Sequence, residues 1–289
     1  MFQIFQKFPK FHLFGKVVKH ELLASAMLYG VILGLGLLFA FGTYWNHVVL
    51  IHNSISALLS FSFWSSAGLL SILALLLFFY IHTAIRYQNA MFGAEGALSF
   101  SLPVEARTLV LGKFCAALIY GICIFILIGI LIYALISGTN TLFGNELLAE
   151  NNMINTVTNT DNANVNAGLL LMFFLFIFEW VNTLSRIFAA VTLANLPRFA
   201  RYNAIFAIVF FFVGGWIESF IMNTIFSLFS FSQDSFTTAL TPLLQMQDAT
   251  PSFGVMSSFL WQNIVIALLL CAAHLWVSIW LAKKYTILS

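Results

Sequence analysis

Six long apolar runs, separated by polar stretches, set the pattern of this chain. They fall at about Ala24–Trp45, Trp64–Ile85, Phe114–Ile136, Ala167–Ala190, Ala204–Phe226 and Phe259–Ala282. Each is long enough to cross ~30 Å of hydrocarbon at ~1.5 Å per residue. Backbone polar groups cannot stay unpaired in lipid, and the runs are far longer than barrel strands, so helices are the predicted spans. Trp45, Trp64, Tyr120, Trp261 and Tyr285 lie near several run ends, as interfacial aromatics do. The expected architecture is one all-α, polytopic membrane domain over residues 1–289, with six transmembrane helices.

The polar positions orient these spans. All twelve Lys and Arg fall on one side if the chain crosses six times. Lys7, Lys10, Lys16 and Lys19 precede the first run. Arg86, Arg107 and Lys113 surround the loop between the second and third. Arg186, Arg198 and Arg201 surround the loop between the fourth and fifth, and Lys283 and Lys284 follow the sixth. The other side has no basic residue but holds Glu146, Glu150, Asp161, Asp234 and Asp248. Retained basic charge marks the cytoplasmic face, so both termini and both basic loops are expected there.

Composition agrees with a lipid solvent. The chain is 61% hydrophobic and 8% charged, with a mean hydropathy of +0.98. No soluble core of this length needs so much apolar surface. The net charge of +2 is sorted into short collars and forms no broad basic face, which argues against a nucleic-acid partner. Cys115, Cys123 and Cys271 lie inside apolar runs, where they read as small fillers and not as a disulfide framework.

The segments between runs differ in character. Residues 1–23 carry Phe2, Phe5, Phe8, Phe11 and Phe14 among four lysines, suiting an amphipathic N-terminal helix in the headgroup region that Pro9 starts or interrupts. The first run begins too late and is too long for a cleavable signal. His47 and His52 share the first outer loop, but no Cys, Asp or Glu there completes a metal set. Residues 137–166 hold nine Asn and read as a solvated outer loop. Residues 227–258 are semi-apolar, with Pro242 and Pro251 excluding one continuous helix.

The loop at 87–107 is unlike a plain connector. Phe92, Leu98, Phe100 and Leu102 offer apolar contacts beside Glu95 and Glu105. Gly93 and Gly96 permit tight turns, and Pro103 favours a new helix start before Glu105. A half-apolar element outside the membrane suits a docking surface for another protein.

From Phe92 to Val104 this loop resembles a segment of the small permeases of ABC-2 type ATP-binding-cassette transporters. The pattern is Phe-Gly-x-Glu-Gly-x-Leu-(Ser/Thr)-Phe-(Ser/Thr)-Leu-Pro-Val, followed by a helix with a Gly/Ser-Lys pair, here Gly112-Lys113. Ala97 departs from it, standing where an aromatic is more usual. The resemblance is specific over about twenty residues and otherwise rests on topology. It implies an ATPase-coupling helix in which Glu95 is a polar anchor, Leu98 and Leu102 are apolar anchors, and Gly93 and Gly96 allow close approach. Phe92, Pro103 and Glu105 complete that set. It also implies cytoplasmic ABC ATPase subunits carrying ATP and Mg, and a second permease chain, identical or paralogous. This chain holds no Gly-x-x-x-x-Gly-Lys-(Ser/Thr) phosphate loop, so ATP hydrolysis is expected on a separate chain and no cofactor on this one.

Within the spans, Glu179 and Glu218 fall near mid-membrane, where a carboxylate is costly unless protonated, paired or hydrated. They are candidates for a substrate path with Asn182 and Trp216. Equally, each reads as a structural acid bonded to a neighbouring helix through Asn182, Asn223 or Trp216. Arg186, two turns past Glu179, is expected to snorkel. Gly214-Gly215 is expected to bend its span or admit a close neighbour. His82 and His274 read as hydrogen-bonded packing residues. The expected function is export of a peptide, antibiotic, lipid or other amphiphile. The alternative is an ion-coupled secondary transporter in which Glu179 and Glu218 titrate.

Overall fold

The computed structural model describes residues 9–45, 55–93, 96, 105–142, 163–228 and 253–288. Glu95, Leu98, Leu102 and Pro103 lie outside these residues. So do residues 1–8, His47, His52, and most of 137–166 and 227–258.

The described chain is all helical: α1 (Pro9–Trp45), α2 (Ile55–Phe92), α3 (Ala106–Leu142), α4 (Ala163–Ala194), α5 (Asn203–Leu228) and α6 (Phe253–Leu288). All six are long and apolar enough to cross a membrane. At 37 residues, α1 extends for about 55 Å, well beyond the ~30 Å of a hydrocarbon core. Pro9 begins it, where a missing N–H costs nothing. From there the helix runs without a break through the expected boundary near Ala24.

Two compact units divide the chain, Met1–Met153 and Ile154–Ser289. In the first, α3 packs against both α1 and α2. Contacts Gly112–Val17 and Gly36–Leu127 advance together along both helices, so α1 and α3 are parallel. Phe39–Trp64 and Tyr29–Phe79 advance oppositely, so α2 is antiparallel to α1. The apolar centre is Ala40, Leu127 and Leu131, with Leu33, Phe39, Ile72 and Leu75 packed on it.

In the second unit α4 is the hub, packed on α5 and α6. It buries Trp180, Leu184, Ile187, Phe188, Val191 and Ala194. Helix α4 stops before Pro197, which cannot donate to the next turn. There the Asn195 side chain donates to the Val191 carbonyl at 2.8 Å, and Asn203 donates to Asn195 at 3.3 Å. Helix α5 is the outlier: between Arg201 and Ile225 only Glu218 is fully buried. Apolar side chains such as Met27, Phe212 and Phe220 project from the units, as lipid-facing residues do.

Candidate functional site

The two ends of the 93–105 loop are shaped by backbone geometry. The Gly93 amide donates to both the Gln88 and Asn89 carbonyls at 3.2 and 3.1 Å, closing α2, and the Gly96 amide returns to the Gly93 carbonyl at 2.9 Å. A Cβ on Gly96 would collide with the Met91 carbonyl, so this turn requires glycine. Met91 and Gly96 are buried, and Phe92 is half-buried with its ring edge-on to Tyr87. At the far end, exposed Glu105 precedes α3, and its carbonyl accepts from the Thr108 and Leu109 amides.

Just inside the membrane-length part of this unit, one carboxylate joins three helices. Glu21 of α1 is buried and accepts a hydrogen bond from Lys113 Nζ of α3. Its second oxygen lies 3.3 Å from Arg86 Nε of α2. The Lys113 side chain is itself buried, so the ammonium has exchanged water for Glu21. Gly112 permits this approach: a Cβ there would sit 2.7 Å from a Val17 methyl on α1. Two turns on, Tyr120 Oη donates to the Leu22 carbonyl, and its ring stacks on Tyr29 at 4.0 Å between centroids. The Tyr29 hydroxyl in turn meets His82 Nδ1 at 3.0 Å.

The second unit repeats this chemistry with different residues. Glu218 of α5 accepts from Asn182 Nδ2 of α4 at 2.8 Å. Its other oxygen lies 3.2 Å from Arg186 Nη1 of α4 and 3.4 Å from His274 Nε2 of α6. The remaining ring nitrogen of His274 faces Ser185 Oγ at 3.4 Å. The Arg186 guanidinium also lies 4.6 Å over the Phe211 ring. Gly214 and Gly215 make room for it, since a Cβ on Gly215 would come within 2.9 Å of Arg186 Nη1. Half-buried Glu179 feels the charges of both Glu218 and Arg186.

Several expectations meet this geometry directly. Asn182 is the partner of Glu218, and the Gly214-Gly215 pair does admit a close neighbour. His82 is a hydrogen-bonded packing residue, its ring stacked on Phe78. Arg186 does not snorkel away: it turns onto Glu218, a carboxylate 3.2 Å away on the adjacent helix. Trp216 is 82% exposed and lies away from the buried Glu218 carboxylate. Asn223 is exposed as well.

Sequence reasoning gave Glu21 no part in a site; it read Arg86 as an orienting charge, and Lys113 as an orienting charge and as one half of the Gly112-Lys113 pair. The available signal was an acid close to the N-terminal lysines, placed, like the two bases, just outside an apolar run. It also left His274 without its acidic partner. Among the described residues no three His, Cys, Asp or Glu converge as a metal set.

Length, apolarity and charges buried between helices define a multi-pass α-helical membrane protein. No protein-family model, curated protein or solved structure matches the chain.

Proposed function

We propose that this chain is the membrane-spanning permease subunit of an ATP-driven exporter of the ABC-2 type, with a separate ATPase docking on the 87–107 loop. The observation that carries the reading is the Phe92–Val104 pattern placed between two membrane-length helices. What supports it is the construction around that pattern. The loop opens on a glycine-dependent turn at Gly93 and Gly96, and its Gly112-Lys113 pair packs against α1. Both stems are therefore fixed, which suits an element that receives force.

ATP binding would close two ATPase subunits, displace the loop, and shift spans two and three between two permease copies. An amphiphilic cargo, a peptide, antibiotic or lipid, would leave through the path so opened. The basic collars at the loop support a cytoplasmic side for it and for both termini.

Glu95→Arg tests the docking. The variant should insert normally yet lose most of its co-purifying ATPase, measured by quantitative pull-down of the complex from membranes. Normal association with unchanged ATP-dependent activity would defeat the reading. The ion-coupled alternative draws on half-buried Glu179 beside the Glu218–Arg186 pair. Reconstituted carriers would run on an ion gradient without ATPase, whereas a permease requires ATP and its partner.

A further inference from the structure

We propose that Glu21 is the joint through which the loop moves α1, so that force applied at the loop reaches the N-terminal helix as well as α2 and α3. The proposal rests on the loop being the motor contact. Its structural basis is the position of three charges. Arg86 lies within two helical turns before the loop and Lys113 about two turns after it, and both converge on one carboxylate of α1. A single acid therefore ties both stems to a third helix that is remote from the loop in sequence.

The two links differ in kind. Between α1 and α3 the Lys113 contact is reinforced by the Gly112–Val17 approach and the Tyr120 bond to the Leu22 carbonyl. Those contacts hold the two helices side by side but carry no charge, so the charged link of α1 to the loop stem on α3 is Glu21–Lys113. Between α1 and α2 the contact is sparse, and Arg86–Glu21 and His82–Tyr29 are polar links across it. Displacing α2 relative to α1 therefore strains the Arg86–Glu21 contact. The net charge of Glu21, Arg86 and Lys113 is positive, so exchanging which base holds the acid does not expose an unpaired carboxylate.

The test follows hydrogen exchange in lipid nanodiscs, using the wild-type permease with its co-purified ATPase. Nucleotide-free and ATP–vanadate-trapped states are compared over residues 13–22, 86–92 and 105–113. Wild type should respond in all three segments. In Glu21→Gln the response at 86–92 and 105–113 should persist, while that at 13–22 falls about fivefold or more, as expected when a buried charged contact is lost. An equal response at 13–22 in Glu21→Gln would overturn the joint, as would its absence in wild type when the other two segments respond.

If Glu21→Gln fails to accumulate, Arg86→Gln removes one of the two links and leaves Glu21 with Lys113. A reduced response at 13–22 in that variant supports the proposal, and an undiminished response refutes it. A wild-type protein that neither retains an ATPase nor responds anywhere would instead defeat the permease reading, and the joint with it.

Discussion

Replacing Glu218 or Arg186 should reveal an asymmetric pair. The two side chains are 10% and 18% exposed and 3.2 Å apart. Glu218→Gln keeps an acceptor for Asn182 but leaves a guanidinium that cannot shed its proton, with half-buried Glu179 as the remaining acid that feels its charge among the described residues. Arg186→Met leaves a carboxyl that retains Asn182 and His274 and can take up a proton. Losing the acid should therefore cost more than losing the base.

Breaking a buried pair costs about 3–5 kcal/mol in water-soluble proteins. Separated membrane helices find other partners for their polar groups, and interhelical hydrogen bonds there average only about 0.6 kcal/mol. We expect about 2–3 kcal/mol for Glu218→Gln and about 1–2 kcal/mol for Arg186→Met, between those limits. The double variant should fall short of the sum by about 1–2 kcal/mol, because neither lone charge is then left behind. Equilibrium unfolding in mixed micelles measures the cycle. Additivity within about 0.5 kcal/mol would refute the pairing, and an equal or larger loss for Arg186→Met would refute the protonation argument.

Gly112→Leu should force α1 away from α3 at Val17, costing about 1–3 kcal/mol as an overpacked contact; thermal unfolding in detergent checks this, and Val17→Ala should recover part of the loss. Gly215→Val should displace the Arg186 guanidinium and mimic Arg186→Met in the same unfolding assay, whereas Gly30→Ala, where a Cβ meets nothing within 4 Å, should be neutral.

What could be read from the chain followed from the solvent it requires. Lipid imposes long apolar helices, so the run lengths announced the six helices. Helix ends were less legible: Pro9 read as starting or interrupting a separate headgroup helix, yet α1 runs unbroken from it into the apolar run about fifteen residues later. Lysines in that extension interrupt hydropathy without interrupting hydrogen bonding. Pairing was the least legible property. Glu218 has its bonding partner Asn182 at a separation of 36 residues, and Glu21 has Lys113 at 92. A single chain shows periodicity within a helix but not which helices are neighbours. The rule that orients basic residues also treats each Lys or Arg as a solvated charge, and that is why Arg86, Lys113 and Arg186 were read as collars.

The two units reach one solution with different residues, and the membrane explains why. Apolar contact between helices gains little in lipid, since the tails are as apolar as leucine, so association needs close packing or polar contacts. Helix α5 shows the limiting case. Between Arg201 and Ile225 it buries nothing fully except Glu218, so the contacts of that acid, the Arg186–Phe211 approach and the Asn203–Asn195 bond stand out in its attachment to α4. Unit one adds glycine-mediated packing at Gly36, Gly68 and Gly112, yet it too places one acid of one helix between bases of the other two. A carboxylate held by two neighbouring helices has a property that a packed apolar seam lacks. Its contacts are short and directional, so one side chain fixes the register of three helices at one point. An apolar seam can slide with little loss, whereas moving the acid away strands a buried base beside it. The buried carboxylates therefore help to hold each unit together in one register.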